Sequence, residues 1–233
     1  MQWIPPGADR PEHGPGGSSV VLFDWDGTLV DTAAALLATW HEVTEATLGR
    51  RFPSTAAERA WAFSRRGAES FPQLSDDPAV VAALIAGFTP AYRRHSGAVT
   101  AFPGVPDLLA QLRSAGFRTG VITSKSADRF ALDAARTGLD GGWDVVVCAE
   151  DVVRGKPDPE SVETALRRLG AEPGGAVVVG DSPADMAAAA AAGTRAVGVA
   201  WGISSPAELA AAGASVVVRD RAELLEWCLG RSR

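Results

Sequence analysis

Val20-Val21-Leu22-Phe23-Asp24-Trp25-Asp26-Gly27-Thr28-Leu29-Val30-Asp31 is the stretch from which the 233-residue chain is read. Four apolar residues run directly into a carboxylate, as in a strand buried on both faces of a parallel sheet. An acid inside such a strand would be costly, so Asp24 is expected at its end, where the chain opens into a loop. Ligands of open α/β sheets bind at that end. Positions i and i+2 of an extended segment point the same way, so Asp24 and Asp26 address one site, and Gly27 allows a sharp turn behind them. Two carboxylates aimed into one pocket repel by about 4 kcal/mol at ~4 Å and an effective dielectric near 20. A cation is expected beside them; the alternative is an acidic turn on a surface loop.

The length suits one large domain or a core with a smaller companion, and 46% apolar residues suffice for a packed core. A net charge of -6 argues against sequence-independent nucleic-acid binding. No long apolar run free of charges and breakers suggests a membrane span. Residues 1–18 are rich in Pro and Gly and lack the apolar run of a signal peptide, so a flexible tail and a cytoplasmic protein are expected. Cys148 and Cys228 read as buried free thiols. His13, His41 and His95 are too scattered for a zinc site.

After Val30 the period becomes helical. Asp31-Thr32 offers an N-cap for a helix over 33–47 that Gly49 closes, Ser54 opens a second to about Arg66, and Asp77-Pro78 a third. Pro90 is expected to break or restart the helix that follows. Trp40 and Trp61 in this block, and Trp227 near the C-terminus, read as core. No strand signal occurs between Thr32 and His95, so residues 32–99 are expected to form an all-helical insert. From Phe102 onward strands and helices alternate. The fold class is therefore α/β: a Rossmann-like, doubly wound parallel sheet built from 19–31 and 100–233, interrupted by a helical cap domain.

Four expected strands end in reactive side chains: Asp24; Thr123 with Ser124 and Lys125; the loop Arg154-Gly155-Lys156-Pro157-Asp158-Pro159; and Asp181, with Ser182 and Asp185 behind it. A parallel sheet gathers all four at one edge. Asp185 also stands three residues after Ser182, with Pro183 between, which is capping-box spacing, so a purely structural role is open. Lys125 reads as an exposed helix-start residue.

The segments FDWDGTLVD, VITSK, RGKPDP and VGDSPADM, in this order, resemble the four motifs of haloacid-dehalogenase-superfamily phosphatases, and the helical block resembles the cap of the phosphoglycolate-phosphatase-like branch. The resemblance implies that Asp24 is the nucleophile and that Asp26 protonates the leaving group and then activates water. Thr123 and Lys156 complete the catalytic set. Asp24, Gly27, Thr123, Ser124 and Lys156 would bind the phosphoryl group. Asp24, Asp181 and the backbone carbonyl of Asp26 would hold Mg²⁺, with Asp185 in support. The chemistry agrees: Mg²⁺ prefers hard oxygen ligands, and a divalent ion with Lys156 balances the charge of Asp24, Asp181 and Asp185.

The resemblance further implies a small phosphorylated metabolite as partner, with the protein a monomer or homodimer. Arg59, Arg65, Arg66 and Arg93 on the insert are candidates for reading an anionic substrate, although arginines on such helices also simply face water. Ala62-Phe63-Ser64-Arg65-Arg66-Gly67 departs from the glycine-containing stretch of the phosphoglycolate branch, which leaves that substrate open. A sugar phosphomutase, an inorganic pyrophosphatase and a catalytically idle scaffold remain alternatives. A dehalogenase would give Asp26 no task.

Overall fold

The structure, a computed structural model, describes residues 19–64 and 67–230. The expected tail over 1–18 lies outside them, as do Arg65 and Arg66. The strands are β1 (Val20–Phe23), β2 (Val30–Asp31), β3 (Thr100–Ala101), β4 (Arg118–Ile122), β5 (Val145–Val147), β6 (Ala176–Gly180), β7 (Arg195–Val199) and β8 (Val216–Val218). Six of them form a parallel sheet in the order β5-β4-β1-β6-β7-β8. The chain moves outward from β1 through β4 to β5, then crosses back to β6 and continues the other way. That reversal beside β1 is the switch point of a doubly wound sheet, and it opens a crevice at the carboxyl ends of β1 and β6.

Sequence explains why β1 is central. Its four residues are fully buried and alternate between two cores: Val21 and Phe23 on one face, Val20 and Leu22 on the other. Helices α5 (Val105–Ser114), α6 (Ala127–Thr137), α7 (Glu160–Leu169), α8 (Pro183–Ala191), α9 (Pro206–Ala211) and α10 (Arg221–Cys228) cover the sheet. Alanines fill α8, and Ala188 and Ala189 are buried, which allows close approach to β6 and β7. Cys148 and Cys228 are buried free thiols.

Between β2 and β3 lie α1 (Ala33–Leu48), α2 (Ala56–Phe63), the single turn α3 (Gly67–Ser70) and α4 (Pro78–His95). Gly49 closes α1 at φ 67. The side chain that caps α2 is Thr55, not Ser54; it forms a reciprocal capping box with Glu58. Asp77 caps α4 by accepting from the Ala79 N–H at 2.8 Å. Pro90 does not break this helix, contrary to the sequence expectation. Proline has no N–H to give to the Ala86 carbonyl, but burial of Leu84, Phe88, Ala91 and Tyr92 along one face holds the helix through it. Trp40 centres the insert's core, packing on Phe52, Phe71 and Phe88 at ring separations of 5.8, 5.1 and 5.3 Å.

The insert leaves and rejoins the α/β part through β2 and β3, which pair antiparallel, Val30 with Ala101 and Asp31 with Thr100. Two-residue strands are too short for alternation to reveal them in sequence. Among the described residues no helix is long and apolar enough to cross a membrane.

Trp40→Ala empties the middle of this aromatic cluster. It is expected to cost about 3–5 kcal/mol, read as a lowered midpoint of urea unfolding.

Candidate active site

The Asp24 N–H donates to the Val179 carbonyl at 2.8 Å, carrying the β1–β6 ladder one residue past the strand. The chain then wraps on itself: the amides of Thr28, Leu29 and Val30 converge on the Trp25 carbonyl at 3.4, 3.0 and 3.1 Å. This turn leaves Asp24 and Asp26 lining one cavity and sends Trp25 into the core, edge-on to Phe130 at 4.6 Å. The indole N–H of Trp25 is buried without an acceptor among the described residues.

Lys156 binds the acids together. Its ammonium donates to Asp24 Oδ1 at 2.9 Å and to Asp185 Oδ1 at 2.6 Å, and its side chain is only 4% exposed. Asp185 caps a helix and also meets Lys156. Its Oδ2 accepts from the Ser182 amide at 3.1 Å and the Ser182 hydroxyl at 2.6 Å, forming the capping box of α8, while Oδ1 faces Lys156. Asp181, at the end of β6, accepts from the Thr28 hydroxyl at 3.2 Å and the Ile203 amide at 2.8 Å. Two glycines press against it. A Cβ on Gly27 (φ +77) would lie 2.2 Å from Asp181 Oδ2, and one on Gly202 would lie 2.1 Å from Asp181 Cβ. Both chain segments can approach this carboxylate only because they carry no side chain there.

One carboxylate oxygen from each of Asp24, Asp181 and Asp185 lies within 4.8 Å of the others. The donor set is all oxygen, which suits a hard divalent cation. Burial, the largest cause, pushes the Asp24 carboxyl up to about 7; Asp185 and Asp26 add to this and Lys156 opposes it. Burial, Asp24 and Asp185 likewise hold Asp181 well above the ordinary carboxylate range. Burial works against the Lys156 cation, but Asp185 and Asp24 outweigh it and raise its pKa. Neutralising this group of acids is the electrostatic problem the site presents.

Thr123 sits buried at the end of β4, its hydroxyl accepting from the Lys125 amide at 3.1 Å, while Ser124 lines the cavity. Lys125 is not the exposed residue expected from sequence: its side chain is 1% exposed and its ammonium lies 2.8 Å from Asp26 Oδ1. It also contacts Tyr92 of α4 and Asp133 of α6. Neither of those partners stood out in the sequence. Tyr92 is the chain's only tyrosine, and Asp133 shares a helical face with Phe130 and Ala134, so an acid on an apolar stripe was the available signal.

The cavity over the acids measures about 550 Å³. Much of the rest of its lining is apolar, with Leu36, Leu37 and Phe63 from the insert and Phe102, Trp201 and Ile203 from the α/β part. Of the candidate arginines, Arg59 lines it. Arg93 instead pairs with Asp128 at 3.2 Å and is not part of the lining, and Arg65 and Arg66 lie outside the described residues.

Residues 21–199 match the haloacid dehalogenase-like hydrolase family. The chain belongs to that family. This haloacid dehalogenase-like hydrolase is 35% identical to pyrophosphatase PpaX of Bacillus pumilus, over 79% of this chain and 84% of that one. It is 34% identical to the N-acetylmuramic acid 6-phosphate phosphatase of Pseudomonas aeruginosa, over 88% and 92%. It is 31% identical to the phosphoglycolate phosphatase of Pseudomonas putida, over 90% and 79%. A hydrolase from Pseudomonas syringae shares its fold with a TM-score of 0.81 and 28% identity, over 90% of this chain and 97% of that one.

Gly27→Ala would both force a side chain into the left-handed region and collide with Asp181. A loss of about 1–3 kcal/mol is expected in thermal or urea unfolding, together with weakened binding of divalent cations in a titration.

Proposed function

We propose that this hydrolase is a Mg²⁺-dependent phosphatase that cleaves phosphomonoesters through a phosphoaspartyl intermediate on Asp24. The observation that carries the reading is Lys156 bridging Asp24 and Asp185 with Asp181 alongside, at the carboxyl edge of β1 and β6. Asp24 and Asp181, with the carbonyl of Asp26, would hold the ion, and Asp185 would stand behind them. When bound, Mg²⁺ neutralises phosphoryl oxygens, so that a dianion can approach the acids.

Asp24 attacks phosphorus in line; the phosphorus–oxygen bond to the leaving group breaks, and Asp26 gives that oxygen its proton. Asp26 then takes a proton from the water that attacks the phosphoaspartyl group, releasing phosphate and restoring Asp24. Splitting hydrolysis in this way replaces one difficult displacement by two easier ones. Thr123 and Ser124 hold phosphoryl oxygens, and Lys156 offsets charge on the nucleophile and the transferring group. The helical insert acts as a cap that shields the intermediate from bulk water.

The cavity is far larger than inorganic pyrophosphate or a two-carbon phosphoester, and its apolar wall gives such ions little to bind. A phosphomonoester with a bulkier, partly apolar leaving group fits better, with Arg59 placed for an anionic substituent. Pyrophosphate stays the second reading because a relative at 35% identity is named for it.

In an assay of phosphate release from an aryl phosphate, Asp24→Asn is expected to lower turnover by about four orders of magnitude or more. Undiminished turnover would refute Asp24 as nucleophile, and chelation with EDTA should silence the unaltered protein reversibly.

The pH dependence of Mg²⁺ binding follows from Asp24. Its folded carboxyl titrates near 7 against 3.8 ordinarily, so the folded chain holds an extra proton across that window and, without a cation, loses stability as pH rises through it. A metal must displace that proton. Asp181, also held above the ordinary carboxylate range, acts in the same direction, so the rise in melting temperature on adding Mg²⁺ is expected to be small at pH 5.5 and to grow as pH rises through 7. A shift that stays constant over this range would exclude Asp24 as a ligand.

A further inference from the structure

Lys125 is a buried cation for which the phosphatase scheme has no use. Its ammonium is surrounded by three groups from three parts of the fold. Asp26 Oδ1 lies 2.8 Å away, in the loop after β1. Asp133 Oδ2 on α6 accepts its hydrogen bond, and the Tyr92 oxygen on α4 accepts another at 2.7 Å. The Tyr92 hydroxyl in turn donates to Asp133 Oδ2 at 2.6 Å, and the tyrosine ring lies 4.5 Å below the ammonium. Tyr92 and Asp133 are fully buried.

Such a cluster does not explain itself as a stabilising device. Desolvating a lysine and an aspartate cancels most of their attraction, and well-packed apolar side chains of similar volume serve a fold as well or better. What the cluster does supply is a charge held at a fixed point. Asp133 and Tyr92 anchor the ammonium 2.8 Å from Asp26 Oδ1. That oxygen is buried, and no group among the described residues offers it an aligned hydrogen bond, so it is held by the Lys125 charge as an ion pair. The Asp26 side chain is nonetheless 23% exposed and lines the cavity, so its exposure falls on the rest of the carboxyl group.

We propose that Lys125, locked by Asp133 and Tyr92, is the positioning residue that aims Asp26 at the leaving-group oxygen. The proposal rests on the phosphatase reading and adds a device to it. Lys125 exchanges no proton. With Oδ1 pinned, the other oxygen of Asp26 delivers its proton to the departing oxygen as the phosphorus–oxygen bond breaks, and collects one from water in the second half. Because Tyr92 belongs to the insert and Asp133 to the α/β part, the aim of Asp26 depends on the two being seated together.

The test compares two substrates with Mg²⁺ on the full chain. The leaving group of 2,4-dinitrophenyl phosphate departs without a proton; that of phenyl phosphate needs one. Lys125→Met keeps length and apolar volume but removes the charge. It is expected to lower kcat/KM, which reads the steps through loss of the leaving group and not the hydrolysis both esters share, by about 10²-fold on phenyl phosphate, the lower end of what general acid catalysis contributes, while 2,4-dinitrophenyl phosphate loses less than about threefold in kcat/KM. Tyr92→Phe, which removes one hydroxyl and keeps the ring, is expected to show the same selectivity at smaller amplitude, and it carries the test should Lys125→Met fail to fold in a thermal melt. Equal losses on both substrates in the folded variants, or no loss, would overturn the positioning role while leaving the phosphatase intact. No phosphate release by the unaltered protein from either ester would overturn the phosphatase reading and this inference with it.

Discussion

Everything at this site answers to one electrostatic constraint: several carboxylates are drawn out of water and toward one another by the topology of the sheet. Strands β1 and β6 are neighbours, so the residues that follow them, Asp24 and Asp181, cannot avoid meeting. Lys156 relieves part of the repulsion by donating to Asp24 and Asp185 together. The remainder is what an oxygen-seeking cation and a phosphoryl group are suited to exploit. A fold that only needed stability would have no reason to bring these acids together, since buried charges rarely improve on apolar packing.

Much of this was legible in the chain because it is written locally. Valine-rich runs ending in Asp24, Thr123 and Asp181 announce both the strand and the edge on which its last side chain falls, and the order of the four motifs is specific enough to name the family. What stayed hidden depends on contacts across long separations. Lys125 looks like a helix-start residue because its neighbours in sequence are polar; its burial comes from Tyr92, 33 residues earlier, and from Asp26, which the sheet carries alongside. Arg93 resembles a substrate ligand until α4 is packed on α6, where Asp128 takes it. Pro90 misleads for a related reason: local rules end a helix that burial sustains.

The site also shows how one residue can carry a structural and a chemical duty together. The capping box at Ser182 and Asp185 is needed to begin α8, and its geometry leaves one oxygen of Asp185 free to face Lys156. Gly27 and Gly202 act by omission, since any side chain at either position would displace Asp181. Such positions are dictated by space around a neighbour rather than by any reactivity of their own.

The pairing of β2 with β3 has a consequence of another kind. Because the outgoing and returning strands run side by side, the chain enters and leaves the insert at one place, and the strand order of the sheet is indifferent to what is suspended there. Length, composition and wall chemistry can drift in that suspended part while the reactive edge keeps its register.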